Sequence, residues 1–261
     1  PKNRQLFTPP CGKGLKNYTP FNPLYPFRII PLLMNKKFGV VVFPGSNCDE
    51  DMVYVLEHTL KQSVIKLWHK DSHLQDCTHV ILPGGFSYGD YLRSGAIARF
   101  SPIMDAIKQH ASGGGFVFGV CNGFQILCEA GLLPGALLHN TNRQFICKNI
   151  FIKPEHDSKI SSGSINQKAL KIPIAHGEGN YYIDALGLEK LKSNRQIIYK
   201  YCSEVGEINT SSNPNGSLDG IAGICNDGRN VYGMMPHPER AADTTLYNTD
   251  GLFIFNSILN N

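Results

Sequence analysis

Along most of the chain, short apolar runs alternate with stretches whose apolar residues recur at helical spacing. Residues 38–43 form a continuous apolar run that ends at Pro44-Gly45 and reads as a buried strand. Ser46 or Asn47 is expected to cap a helix with Asp49, Glu50 and Asp51 in its first turn. Met52, Val55, Leu56 and Leu60 give that helix its buried stripe. Residues 64–68 and 80–82 predict two further strands, each followed by a turn signal. Ser101-Pro102 opens another helix, running to about 110, with proline in the first turn where its missing N–H costs nothing. This alternation predicts an α/β fold: a mostly parallel sheet flanked by helices, with ligands at the carboxyl ends of the strands.

After Gly135 the runs shorten. Strands are expected over 145–152, 172–175, 196–201, 221–225 and 231–235, the last two joined by the hairpin-type turn Asn226-Asp227-Gly228-Arg229. The C-terminal half therefore adds antiparallel strands to the sheet. Residues 157–168 are polar and read as a surface excursion, and Asn213-Pro214-Asn215-Gly216-Ser217 as a turn. A final helix over about 250–259 closes the sheet, and no internal repeat is visible.

The first 35 residues break this pattern. Residues 1–33 hold seven of the 16 prolines and show no period, whereas Met34 is followed at once by a clean strand. We read 1–35 as a leader, disordered or not native, with Met34 as a start, and 36–261 as one folded domain. The net charge of +4 comes without a basic run, which excludes a nucleic-acid surface, and no apolar stretch reaches membrane-spanning length. The eight cysteines lack C-x-x-C spacing, so a reduced, cytoplasmic setting is expected.

The chemistry centres on residues 115–130. An apolar strand, Phe116-Val117-Phe118, passes through Gly119-Val120-Cys121-Asn122-Gly123 into the helical spacing of Phe124, Leu127 and Cys128. A nucleophile held between strand and helix, with a glycine two positions to each side, is the pattern of a nucleophile elbow with cysteine in place of serine. Gly119 and Gly123 allow the close approach of strand and helix. The N–H groups at the helix start favour a thiolate and then an oxyanion. His237 and Glu239, after the last strand in Pro236-His237-Pro238-Glu239, share one side of an extended segment, which makes a base and its orienter. Asn122 N–H and the side-chain-free Gly84-Gly85 loop supply oxyanion donors. Cys48, also at a helix start, is the rival nucleophile, but it lacks elbow glycines. His69, His73, Cys77 and His79 are scattered surface residues, and no metal is expected.

Gly119–Gln125 (GVCNGFQ), Pro83-Gly84-Gly85 and His237-Pro238-Glu239 resemble the class I, Cys–His–Glu glutamine amidotransferases, whose sheet is flavodoxin-like. Longer stretches, PGSNCDED at 44–51, PGGFSYGDYLRSGAIA at 83–98, PIAHGEGNYY at 173–182 and GMMPHPER at 233–240, are similar to one branch. That branch is the family of small, separate glutaminase subunits of phosphoribosylformylglycinamidine synthase. The resemblance runs in order from about 37 to 259, and implies that Cys121 attacks L-glutamine while His237 and Glu239 serve as base and orienter. It implies oxyanion and glutamine binding by Gly84, Gly85, Asn122, Gln125, Arg143 and Phe145, and contact with a partner at His176 and Glu178. It further implies a large synthetase subunit, a small bridging subunit, and ATP and Mg²⁺ on the synthetase. No cofactor is expected on this chain, which lacks a G-x-x-x-x-G-K-[ST] loop. A cysteine peptidase on a similar sheet, a decayed scaffold and a glutaminase serving another synthetase are the competing readings.

Overall fold

The alternation of apolar runs becomes structure from β1 (Lys37–Val42), which leads into α1 (Asp49–Tyr54) and a wider π turn over Val55–Thr59. β2 (Ser63–Trp68) and β3 (His79–Leu82) follow, then α2 (Ile103–Ser112), β4 (Phe116–Val120) and α3 (Asn122–Glu129). Next come β5 (Ala136–Leu138), β6 (Ile146–Pro154), β7 (Leu170–His176), β8 (Asn180–Tyr182) and α4 (Ala185–Ser193). β9 (Ile197–Cys202), β10 (Ile221–Cys225), β11 (Val231–Met234) and α5 (Gly251–Asn260) complete the chain. This computed structural model describes residues 36–260, so the expected leader, 1–35, and the start at Met34 lie outside the described residues.

Nine strands form one sheet in the order β2-β1-β3-β4-β11-β10-β9-β6-β7. From β2 to β11 every pairing is parallel; from β11 to β7 every pairing is antiparallel. This is the mixed sheet expected from the sequence. β5 and β8 pair separately as a small antiparallel sheet. A parallel strand covered on both faces needs no polar alternation, and every residue of β4 and β11 is buried. β3, β4 and β11 are adjacent and end level: Leu82 pairs with Gly119, and Val120 with Met234. Three loops therefore leave the sheet side by side, starting at Pro83, Cys121 and Met235.

Two local expectations are corrected. Neither Ser46 nor Asn47 caps α1. Cys48 occupies the N-cap without a side-chain cap, because Ser46 N–H closes the preceding turn on Phe43 O (3.0 Å). The polar segment 157–168 is not a loose surface excursion either. Ile160, Ser161 and Ser164 are fully buried, and Tyr199 Oη, on β9, donates to Ile160 O (2.8 Å) and shares a hydrogen bond with Ser164 Oγ (2.9 Å). Serine there serves as an internal partner for a buried phenol. The expected turn at 213–217 forms, with Gly216 N–H donating to Asn213 Oδ1 (3.1 Å), and it also braces the interior. Asn215 is completely buried and donates to Gly179 O (2.8 Å) and Tyr201 Oη (3.2 Å).

Candidate active site

Cys121 sits at the strand-to-helix junction with φ 50° and ψ −106°, a conformation that a non-glycine residue holds only where its surroundings over-determine it. Its N–H donates to Met234 O of β11 (2.8 Å), and its C=O accepts from Gln125 N–H in α3 (3.1 Å), so both sides of the residue are pinned. The elbow glycines act as the sequence predicts. A Cβ on Gly119 would stand 2.7 Å from Gly123 O; one on Gly123 would overlap Leu82 O and stand 2.6 Å from Leu82 C. The sulfur is buried, at 4% residue exposure, and lies 3.7 Å from Ala175 O.

The loop from β11 delivers His237 and Glu239, whose side chains are almost completely buried. The predicted pairing holds, with Nδ1 and Oε1 2.5 Å apart. The predicted extended backbone does not hold: Pro238–Ala241 is a turn of 3₁₀ helix, started by proline at its first position. A helical turn, rather than strand alternation, brings the carboxylate back onto the imidazole. Burial alone would lower the His237 pKa, but the Glu239 carboxylate and then the Cys121 sulfur outweigh it and raise it. His237 is thus held ready to carry a proton beside a sulfur. Gly84 makes room for the ring, since a Cβ there would stand 2.6 Å from His237 Cε1. Gly85, at φ +131°, packs against Asn47, where a Cβ would stand 2.8 Å from the backbone nitrogen.

Cys121 opens into a cavity of about 180 Å³ whose wall includes Gly85, Gln125, Phe145, His176 and Glu178. Gln125 is tied into its rim, donating to Glu178 O (2.6 Å) and accepting from Asn122 Nδ2 (2.9 Å). Asn122 Oδ1 in turn accepts from Ser87 N–H (3.2 Å), which joins α3 to the Pro83 loop. Phe145 is half exposed at the mouth and stacks on Phe86. Arg143 is exposed and lines an adjoining cavity, sharing Glu178 and His139 with the first but not reaching the Cys121 wall.

His176 corrects the expectation of a partner-facing residue. Its imidazole is buried against the cavity, with Nδ1 hydrogen-bonded to Asn140 Oδ1 (3.1 Å). Burial, then the charge on His237, pushes its pKa down to about 4. Its place on β7 explains the inward turn, since alternate β7 side chains are buried. Glu178 remains partly exposed at the rim, near His139 and accepting from Ser94 N–H (3.2 Å).

Sequence reasoning missed Asp90, which lines the same cavity and whose pKa burial pushes up to about 6. The signal available in the sequence was an acidic residue in the glycine-containing loop Ser87-Tyr88-Gly89-Asp90 after β3, where ligands of such a sheet bind. Cys48 lies close to His237 and Glu239 and is a poor nucleophile: burial, then the charge on Glu239, pushes its thiol up to about 12. His69 and Cys77, expected at the surface, are buried instead. His69 is hydrogen-bonded with Tyr88 Oη (2.7 Å) and His79 with Thr78 Oγ1 (2.9 Å).

A family model described as a CobB/CobQ-like glutamine amidotransferase domain matches residues 35–251. Among curated proteins, the chain is 52% identical over 224 residues to "Phosphoribosylformylglycinamidine synthase subunit PurQ" of Koribacter versatilis, covering 85% of this chain and 97% of that protein. It is 54% identical over 224 residues to the protein of the same name from Moorella thermoacetica, covering 85% and 95%. Among solved structures, "Structure of PurLQS from Thermotoga maritima" contains a similar chain with a TM-score of 0.75 and 40% identity, covering 87% of this chain and 99% of that one. Among the described residues, no helix is long and apolar enough to cross a membrane.

Proposed function

The chain belongs to the CobB/CobQ-like glutamine amidotransferase family, and on that premise we propose that it is the glutaminase subunit of a phosphoribosylformylglycinamidine synthase. It hydrolyses L-glutamine to glutamate and ammonia. The ammonia passes to a synthetase partner, which converts formylglycinamide ribonucleotide to its amidine with ATP, a step of purine biosynthesis. The observation that carries the reading is the strained Cys121 elbow beside the buried His237–Glu239 pair.

The Cys121 thiolate attacks the side-chain amide carbon of glutamine. The N–H groups of Gly85 and Asn122 hold the resulting oxyanion, with Gly84 leaving space for the approach. As the tetrahedral species collapses, the C–N bond breaks and His237 delivers its proton to the departing ammonia. A water molecule then attacks the glutamyl thioester, gives its proton to His237, and releases glutamate and the thiol. Glu239 keeps the imidazole oriented and supports its charge throughout. Gln125 braces the wall through its bond to Glu178, Phe145 covers the mouth, and the exposed Arg143 serves the outer rim.

The expected partners are the synthetase subunit and a small bridging subunit, with ATP and Mg²⁺ bound by the synthetase and no cofactor on this chain. The similar chain in the Thermotoga maritima PurLQS structure supports a multi-subunit assembly. Partly exposed Glu178, rather than buried His176, is the residue of that loop available to a partner. A cytoplasmic setting suits a working thiolate. The test combines the chain with its partners, ATP and formylglycinamide ribonucleotide, and supplies either glutamine or ammonium. Cys121→Ala should lose the glutamine-driven product alone; glutamine-driven turnover in that variant would refute the nucleophile.

A further inference from the structure

Beside the His237–Glu239 pair, outside the wall of the glutamine cavity, lies a thiol that the hydrolysis does not use. Cys48 Sγ, a ring nitrogen of His237 and a carboxylate oxygen of Glu239 all lie within 4.8 Å of one another. All three residues are buried, with exposures of 4%, 1% and 2%. Glu239 Oε2 has no hydrogen-bond partner among the described residues, although a buried carboxylate oxygen ordinarily finds one. We propose that Cys48, His237 and Glu239 form a binding site for a thiophilic divalent cation of the zinc class, and that occupancy of this site arrests the glutaminase.

The donor set selects the ion. A thiolate, an imidazole and a carboxylate are ligands that zinc takes at about 2.0–2.3 Å, whereas calcium and magnesium take oxygen. Three protein donors leave the fourth tetrahedral position to water. Such bond lengths bring ligands to roughly 3.5 Å from one another, so donors already within 4.8 Å need only small side-chain rotations. Binding releases the Cys48 thiol proton and the proton of the His237 ring nitrogen that turns to the ion, so uptake should strengthen as pH rises. The Arg240 guanidinium supports the anion that remains, since Nη2 lies 3.1 Å from Cys48 Sγ while Nε donates to Asp51 Oδ2 (3.1 Å). A separate cavity of about 410 Å³ has Glu239 in its wall together with Asp51, Asp243 and Arg240. The ion would occupy the carboxylate and the imidazole together, leaving no free base for Cys121.

The site stands on its own geometry; only the arrest of activity rests on the catalytic reading of His237 and Glu239. The direct probe is Co²⁺ titrated into the full, reduced chain, followed by thiolate-to-cobalt charge-transfer absorption. The band should form in wild type and in Cys121→Ala, and disappear in Cys48→Ser with a loss of affinity greater than about tenfold. Loss of the band in Cys121→Ala, or its persistence in Cys48→Ser, overturns the assignment. Glu239→Gln, which leaves both thiols in place, provides a second reading: Co²⁺ affinity should fall more than about tenfold, and an unchanged affinity is fatal to the site. In the assembled complex, Zn²⁺ should suppress glutamine-driven product while sparing ammonium-driven product. Cys48→Ser should raise the half-inhibitory concentration more than about tenfold. Binding without inhibition would leave the site standing and refute the catalytic roles given to His237 and Glu239.

Discussion

Replacing Gly123 with alanine tests whether the elbow geometry, and not merely the presence of a cysteine, makes the site. The added Cβ would overlap Leu82 O and lie 2.6 Å from Leu82 C, against 3.4 Å for ordinary contact. Relieving the overlap with Leu82 O therefore requires the start of α3 to withdraw from the end of β3 by more than about 1 Å. Leu82 cannot yield easily, because it pairs with Gly119 in the middle of the sheet. The displaced turn carries both Cys121 and Asn122 N–H. A misplacement of about 1 Å in a reacting group costs on the order of 10²-fold in rate, so glutamine-driven turnover should fall about 100-fold. Overpacking of this kind costs about 1–3 kcal/mol, equivalent to a drop of roughly 2–12 °C in Tm for a domain of this size. Ammonium-driven turnover in the assembled complex should be spared. Gly113→Ala is the control: at φ −78° its new Cβ would meet nothing closer than 3.5 Å. Wild-type glutamine turnover in Gly123→Ala, at unchanged Tm, would refute the argument.

The His237–Glu239 pair predicts a pH dependence. A histidine whose pKa is raised in the fold contributes stability that is complete below its unfolded value of about 6.5 and fades as pH rises through the folded value. Tm measured upward from pH 6.5 should show this decline, and Glu239→Gln should flatten it. His176 acts in the opposite direction. Because burial holds it neutral to about pH 4, the unfolded chain binds more protons between pH 6.5 and 4, and stability falls on acidification across that window. His176→Gln should reduce the fall of the urea midpoint between pH 6.5 and 4.5. Asn215→Ala removes the donor that meets Gly179 O and Tyr201 Oη in the interior. Leaving buried groups unpaired costs about 1–3 kcal/mol, which calorimetry should register as a Tm drop of roughly 2–12 °C.

What the sequence revealed followed from local physics. The apolar runs of β1 to β4 and the glycines around Cys121 are dictated within a few residues, so order, type and elbow were legible. α4 was missed although Asp184 marks its start, accepting from Gly187 N–H (2.7 Å), because Gly187 and exposed Leu186 blur the helical stripe. β5 and β8, of three residues each, are too short for a period and exist through each other. The His237–Glu239 contact was legible from spacing, but its cause was not, since Pro238 favours a helical turn as readily as an extended one. The inward turn of His176 depends on Asn140, 36 residues away, and the burial of Asn215 depends on Gly179. Such long-range pairings leave no mark in the local pattern.

The central claim is that the strained Cys121, alone among the cysteines of the described residues, is the thiol that glutamine meets. An electrophilic diazoketone analogue of glutamine, incubated with the assembled complex and mapped by peptide mass spectrometry, tests it directly. The structure predicts one adduct, on Cys121, accompanied by loss of glutamine-driven product and competed by glutamine. An adduct on Cys48, or inactivation with Cys121 unmodified, would contradict the account.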